Sequence, residues 1–360
     1  MTWGRLLALT LAAIIAIAAV GAFAFKRQIG DHLYRRAIAE TVGRDRAADL
    51  PDGIHVYVCG AGAPLPDPGR AGPCLAVLAG AHAFVFDAGA GSVRTLAAMG
   101  FPLSRIDRVY LTHLHSDHID NLGELLLQAW IAGGRDTPLP VAGPQGVEEV
   151  VAGFNAAYRI DSGFRTAHHG ADIADPNGFG GAPEIIADPG ESPALVFEEG
   201  DLKLFVISVA HAPVSPAFGY RLDYQGRSIA VSGDTAYSAR FAEASRGVDV
   251  MFHEALEPAY VAAMGEAARS AGQPALAKIM SDIPSYHAAP IDAARAAQAA
   301  GARQLVLYHI IPPLPSRFLH DAYLGDARSV YGGRIRIGED GMLVSLPADS
   351  DAIRVTQALR

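Results

Sequence analysis

The chain has 360 residues, half of them hydrophobic, which is enough for one large α/β domain or two small ones and excludes a disordered chain. Its formal net charge is −9. Affinity for nucleic acid comes largely from lysine and arginine, so this balance argues against a nucleic-acid partner and leaves small anionic ester substrates open.

The N-terminal 27 residues differ from the rest. The run from Leu6 to Phe25 is 20 residues long and carries no charge, which suffices to span a bilayer as a helix. Ala22-Phe23-Ala24 also resembles a signal-peptide cleavage site. We therefore expect residues 1–27 to be a signal peptide or a membrane anchor. In either case the protein is exported, periplasmic or held at the inner membrane with its domain outside the cytoplasm.

A charged, amphipathic pattern follows over residues 28–50 and predicts a helical stalk or linker that ends at Pro51. The remaining residues, 51–360, form the main domain. Its two cysteines, Cys59 and Cys74, have no metal-ligand spacing. In an exported protein they could pair, or they could be two small buried side chains, and the sequence favours neither alternative.

Short apolar runs bounded by Gly and Pro predict strands in the first half of the domain at Ile54–Cys59, Cys74–Leu78, Ala83–Phe86 and Ile106–Leu111. Apolar residues at helical spacing predict a helix over 122–130 and another that ends near Tyr158. Residues 161–200 are rich in Gly, Pro and Asp. They indicate an irregular segment of the kind that covers a substrate, where the pocket walls would lie.

The second half repeats this alternation of strands and helices. Predicted strands are Leu202–Ala210, a hairpin of Gly219–Tyr224 and Arg227–Val231, then Val248–Phe252 and Leu305–Tyr308. Predicted helices cover the Ala-rich residues 258–280 and then Pro290–Ala300, which Gly301 closes.

The most informative cluster follows the strand at Ile106–Leu111, where His113, His115, Asp117 and His118 lie within six positions. Such side chains would be costly to bury without partners. Imidazole and carboxylate oxygen are ligands suited to zinc and its first-row neighbours. The pattern predicts a metal site in which the first two histidines serve one ion while the other two residues face a second.

Three further candidates stand just beyond the ends of apolar strands: His211, Asp234 and His309. Sites in α/β sheets form where strand ends converge, so residues far apart in sequence can meet there. We therefore expect these three to join the histidine cluster.

Together these residues resemble the metallo-β-lactamase superfamily, from about residue 54 to 345. The motif Thr112-His113-Leu114-His115-Ser116-Asp117-His118 resembles its signature, and Phe84–Gly89 resembles the acidic motif before it. The resemblance implies a four-layer αββα sandwich, of the α/β (α+β) class. It further implies two zinc ions, with manganese or iron as alternatives. One would be held by His113, His115 and His211, the other by Asp117, His118 and His309, with Asp234 bridging.

Within the superfamily, the chain is most similar to the branch of the tRNA 3′-processing endonucleases (ribonuclease Z) and the arylsulfatase-like hydrolases. Gly60-Ala61-Gly62, Phe218–Arg221 and Phe252–Ala255 carry this similarity. The 22 residues between His211 and Asp234 hold one hairpin, without the long basic arm common in tRNA enzymes. We therefore expect an arylsulfatase-like hydrolase of a sulfate ester or phosphodiester. The alternatives are a ribonuclease Z-like endoribonuclease and a lactone or β-lactam hydrolase.

The resemblance implies hydrolysis by a hydroxide shared between the two cations, with Asp117 among the catalytic groups. His253, paired with Glu254, is the expected general acid, and His287 is a second candidate or a substrate-binding residue. Asp87 is expected either to orient a ligand histidine or the water, or to cap a turn. A homodimer is left open.

Overall fold

The computed structural model describes residues 3–43 and 45–359, and the chain divides into two compact units, Met1–Arg46 and Ala47–Arg360. The first unit contains helices α1 (Trp3–Ala24) and α2 (Lys26–Thr41). In the described residues, α1 is the one helix long and apolar enough to cross a membrane, and signal sequences meet the same criteria. Export and the division at residues 27 and 50 stay predictions.

The second unit contains fifteen strands and ten α-helices within the described residues. The strands are β1 (Gly53–Gly60), β2 (Cys74–Ala79), β3 (His82–Phe86), β4 (Arg108–Tyr110), β5 (Leu139–Gly143), β6 (Gly181–Ile185), β7 (Ala194–Glu199), β8 (Leu202–Ser208), β9 (Phe218–Tyr224), β10 (Arg227–Val231), β11 (Val250–Leu256), β12 (Gln304–Ile311), β13 (Arg334–Ile337), β14 (Met342–Pro347) and β15 (Arg354–Gln357). The helices are α3 (Ser92–Ala98), α4 (Ser116–Ile119), α5 (Leu122–Gly133), α6 (Val147–His169), α7 (Ala239–Ala244), α8 (Pro258–Ser270), α9 (Pro274–Asp282), α10 (Pro290–Ala300), α11 (His320–Leu324) and α12 (Ala327–Val330).

The strands form two mixed sheets. One has eight strands in the order β15-β14-β1-β2-β3-β4-β5-β6, and the other has seven in the order β13-β12-β11-β10-β9-β8-β7. Helices cover the outer face of each sheet, since the outward side chains of the first pack with α3, α5 and α6 and those of the second with α7 and α10. The predicted αββα sandwich is confirmed.

Side-chain alternation along the strands builds the core between the sheets. Val56 and Val77 of the first sheet and Val206 and Ile229 of the second share one fully buried cluster. Each strand's alternate residues face the helices instead, so both faces of each sheet are apolar. Because both faces are apolar, the register depends on how individual side chains interlock with the opposite sheet and with the helices rather than on hydrophobicity alone.

The predicted irregular segment over residues 161–200 is wrong in part, since only residues 170–180, 186–193 and 200 lack helix and strand. Helix α6 continues to His169, and β6 and β7 follow it. Both strands are sheet edges and are only partly buried, and β6 contains Pro183, which an edge strand tolerates. Because these strands are short and half-exposed, the amino-acid composition of the segment resembles that of a loop.

Cys59 and Cys74 form a disulfide with a Cα–Cα distance of 5.1 Å, which selects one of the two alternatives left open by the sequence. Their strands, β1 and β2, are antiparallel neighbours, and Gly60 faces Cys74 across the ladder. The bond therefore closes the base of the loop between the two strands, residues 61–73, which contributes a wall of the site described next.

Candidate metal centre

Seven side chains from both sheets converge at one end of the sandwich, around the carboxylate of Asp234. The Nε2 atoms of His118 and His309 each lie 3.3 Å from Asp234 Oδ2. The Nε2 atoms of His113 and His211 lie 3.9 and 4.0 Å from the same oxygen. One oxygen is therefore shared between two groups of imidazoles, as a carboxylate that bridges two cations would be.

The two groups have the composition that the sequence predicts. His113, His115, His211 and Asp234 offer ligand atoms within 4.8 Å of one another, and so do Asp117, His118 and His309. In the first group, His115 Nδ1 lies 2.9 Å from His113 Nε2 and 3.4 Å from His211 Nε2.

The donor set fits divalent cations. His118 Nε2 and Asp234 Oδ1 are buried and lack a hydrogen-bond partner, which is costly unless another ligand completes them. Burial, reinforced by the neighbouring His118, holds the pKa of His113 well below its usual value. The lowered pKa favours the neutral imidazole, which is the form that binds a metal.

Asp87 fixes the orientation of His118. Its Oδ2 accepts from His118 Nδ1 at 2.8 Å and from the Thr112 hydroxyl at 2.8 Å, and its Oδ1 accepts from the Thr112 backbone N–H at 2.8 Å. With the Nδ1 proton held by Asp87, the lone pair of His118 Nε2 faces the other ligands. Of the two roles considered for Asp87, the one that orients a ligand histidine matches these contacts.

His309 reaches the site through an irregularity in the sheet. Glu254 of β11 pairs with Tyr308 of β12 and the next residue, Ala255, pairs with Ile310. His309 is the extra residue of this bulge and has a positive φ of 49°, a conformation rare outside glycine and kept in functional sites. Its Nε2 lies 3.3 Å from Asp117 Oδ2.

His287 and Glu254, a pair of titratable residues, border the metal ligands. His287 Nδ1 lies 2.9 Å from Glu254 Oε1, which also accepts from the Thr235 backbone N–H at 2.8 Å. Burial disfavours the charged form of His287, but the facing Glu254 carboxylate outweighs it and raises the pKa to about 9. His287 lies 4.0 Å from Asp234 Oδ2, so a protonated imidazole stands at the edge of the ligand cluster.

The structure does not bring His253 into the site. Successive residues of a strand point to opposite faces, so Glu254 faces the ligands while His253 faces the helices and packs edge-on against Phe241 at 5.7 Å between ring centroids. His253 Nδ1 contacts the backbone oxygen of Glu254 at 2.8 Å, and burial lowers its pKa. This placement corrects the expectation that His253 is the general acid.

The pocket over the ligands has a volume of about 270 Å³ and an apolar rim. The rim residues that the sequence did not single out are Leu65, Ile279, Met280, Ile283, Tyr286 and Ile311. Within the described residues, no lysine or arginine lines this pocket, and no residue of the segment 161–200 does. The walls come from loop 61–73 and from α9 with the turn after it, which have no chemical signature in the sequence. The Tyr286 carbonyl, 3.0 Å from His211 Nδ1, also orients a ligand.

A site of this kind, at the end of two helix-covered sheets, defines the class of metal-dependent hydrolases. The sequence model of the protein family described as the beta-lactamase superfamily domain matches residues 82–310, more than half of the chain. Ribonuclease Z of Mycobacterium avium is 33% identical over 299 residues, 82% of this chain and 100% of the relative. Ribonuclease Z of Mycobacterium bovis is 32% identical over 290 residues, 80% of this chain and 96% of the relative.

Solved structures share the fold at lower identity. The metallo-β-lactamase fold protein YhfI of Bacillus subtilis superposes with a TM-score of 0.59 at 19% identity, covering 82% of this chain and 100% of that one. The short form of human tRNase Z superposes with a TM-score of 0.56 at 20% identity, covering 81% and 99%.

The chain therefore belongs to the metallo-β-lactamase superfamily, and it is a metal-dependent hydrolase of ester bonds. The relatives favour the ribonuclease Z alternative and give no support to the arylsulfatase-like preference drawn from the sequence. They also count against the expectation that a nucleic acid is no partner, since ribonuclease Z acts on RNA.

Proposed function

We propose that this protein is a two-zinc phosphodiesterase. The observation that carries the proposal is the shared oxygen of Asp234, which has imidazoles of both ligand groups within 3.3 to 4.0 Å. A single cation would leave one of the two groups without a partner. When bound, two zinc ions supply an activated water near neutral pH and offset the charge that develops on the phosphoryl oxygens.

The protein's own residues do the remaining work. Asp117 Oδ2 lies 3.3 Å from His309 Nε2 and 3.5 Å from His118 Nε2, so its carboxylate would help these two histidines to hold a cation and would orient a water there. Asp87 holds His118 in the ligating tautomer. Asp117 and His118 lie on helix α4, Asp87 directly follows β3, and all three side chains are buried, so little reorganisation accompanies the reaction.

His287 is the proposed general acid. Its pKa of about 9 keeps the ring protonated at neutral pH, and nearby cations lower that value toward the range in which an acid works best. The Glu254 carboxylate fixes the ring through Nδ1 at 2.9 Å and leaves Nε2 to donate to the departing oxygen. Protonating that oxygen as the bond to phosphorus breaks is worth about 10²- to 10⁴-fold in rate.

RNA processing of the ribonuclease Z kind is a second candidate function. It is supported by the 33% identity to a ribonuclease Z that is matched over its whole length. Against it stand the pocket walls, where lysine and arginine are missing among the described residues, and the single hairpin between His211 and Asp234. A polyanion needs several cations to pair with its phosphates, and among the described residues that line the pocket His287 is the one cationic side chain.

The test measures hydrolysis of methyl p-nitrophenyl phosphate, p-nitrophenyl sulfate and a precursor tRNA by zinc-loaded protein, with zinc counted per chain. We expect two zinc ions and turnover of the phosphodiester. Fewer than one zinc per chain after gentle purification would overturn the two-metal site. Cleavage of the precursor at its 3′ end, with the diester left intact, would make RNA processing the function. The variant His113→Ala, which removes one ligand, should abolish turnover while its circular dichroism spectrum stays native.

We also propose that the domain works outside the cytoplasm. Two observations support this: α1 is uncharged over a length that spans a bilayer, and Cys59 and Cys74 form a disulfide, which persists in oxidising compartments. Fractionation of cells tests it. Recovery of the protein from the cytoplasmic fraction with two free thiols would refute it.

A further inference from the structure

A second cavity lies beside the metal pocket and has no assigned role. It is an open groove of about 860 Å³, lined mainly by apolar residues of loop 61–73, α8 and the segment after β12. Representative members are Pro66, Pro68, Tyr260, Met264, Pro312 and Leu314. A volume of this size accommodates a small-molecule group.

The groove adjoins the metal pocket along two chain segments. Leu65 lines the metal pocket and Pro66 lines the groove; likewise Ile311 lines the pocket and Pro312 the groove. The ridge between the two cavities is one apolar cluster, in which Leu65 and Met264 pack against the buried Ile311. Both chain segments are therefore apolar at the point where they pass from one cavity to the other.

The groove presents no free charge. Among its described lining residues, Asp67 and Arg70 are charged, and they pair with each other at 3.2 Å with only 7% of each side chain exposed. Arg70 Nε also donates to the Gly338 carbonyl at 3.2 Å. Both charges are therefore satisfied within the protein, and neither is available to bind a phosphate of a longer polyanion.

Resting on the proposed function, we infer that the groove binds an uncharged alkyl group of the phosphodiester substrate, while the ligand cluster binds its phosphate. Burial of each methylene group in such a groove increases affinity several-fold, until the entropy lost by ordering the chain limits the gain. The substrate class is thus an amphiphilic phosphodiester rather than a polynucleotide.

Binding is measured calorimetrically on the full-length zinc-loaded protein with ethyl methylphosphonate and octyl methylphosphonate, two monoanions that differ only in chain length and whose alkoxide is a poor leaving group. We expect the octyl ester to bind on the order of 100-fold more tightly. Ala263, an exposed groove residue of α8, is changed to tryptophan to fill the groove. Ala263→Trp should lower the preference for the octyl ester at least tenfold.

The matched control is Ala262→Trp. Ala262 is the preceding residue of the same helix, is also exposed and does not line the groove, so the preference of this variant for the octyl ester should stay within twofold of the wild type. Equal affinity for the two esters, or equal effects of the two tryptophan variants, would overturn the inference. Turnover of methyl p-nitrophenyl phosphate is measured alongside. If it persists, only the groove assignment fails; if it is also absent, the proposed function fails.

Discussion

Replacing Asp87 by asparagine tests the contact that holds the ligand His118. The carboxylate makes three hydrogen bonds of 2.8 Å, two of them to Thr112 and one to His118 Nδ1. An amide of the same shape has one oxygen and one NH₂ group, so it cannot accept all three. If the oxygen keeps the Thr112 backbone N–H, the NH₂ group faces His118 Nδ1 and favours the tautomer with its proton on Nε2, which cannot ligate.

The magnitude follows from the bond that is lost. A hydrogen bond to a charged group contributes about 1.5–3 kcal/mol, and about 1.4 kcal/mol is a tenfold change in an equilibrium constant. The affinity for the zinc that His118 helps to hold should therefore fall about 10- to 100-fold, the range known for partners of metal ligands. The other zinc should be affected less, so two affinities should separate in the variant.

The assay is competition with a chromophoric chelator at fixed pH, with metal content counted after dialysis. The control is Asp107→Asn, because Asp107 also accepts from a backbone N–H, that of Ala83 at 2.8 Å, and lies outside the ligand cluster. The reasoning is refuted if Asp87→Asn binds two zinc ions with wild-type affinity, or if the control loses as much as the variant does.

Further predictions concern the groups beside the ligands. Changing His287 to Gln should lower kcat about 10²- to 10⁴-fold, whereas His253→Gln should lower the melting temperature and leave kcat near the wild-type value. Steady-state kinetics compares the two variants, and equal losses of kcat would contradict the assignment of His287 as the general acid. The Glu254 carboxylate raises the pKa of His287 in the folded protein to about 9, whereas the pKa of histidine in the unfolded chain is about 6.5. The ion pair therefore stabilises the metal-free protein fully below pH 6.5, and this stabilisation is lost as the pH rises toward 9. Melting temperatures of metal-free wild type and Glu254→Gln should therefore converge across that window, and a constant difference would refute the linkage. Reduction of the Cys59–Cys74 bond should lower the free energy of unfolding by about 3 kcal/mol, measured by urea denaturation; an unchanged midpoint would show that the bond adds no stability.

The sequence predicts the ligands well because their chemistry and their position at strand ends are both local properties. His113, His211 and Asp234 each follow a run of apolar residues, and these runs are strands in the structure. Strands buried on both faces are continuously apolar, so they stand out. The hairpin of β9 and β10, turning at Gln225-Gly226, also agrees with its prediction.

The failures share a different cause: they depend on which face a residue presents. His253 and Glu254 look like a pair in sequence, yet β11 continues through both and sends them to opposite sides of the sheet. The apolar walls from α9 carry no chemical signature, because Ile279 and Met280 resemble ordinary helix residues. Only the tertiary arrangement shows that they border a metal site.

The bulge at His309 separates the stability of the fold from the chemistry of the site. On either side of His309, the ladder between β11 and β12 is regular. Deleting this extra residue would therefore leave each flanking side chain on the same face of the sheet. A chain without His309 would pair Tyr308 and Ile310 as consecutive residues and would lose one imidazole. The sandwich therefore offers a scaffold in which a metal ligand is added or withdrawn by a single codon, independently of the core that supports it.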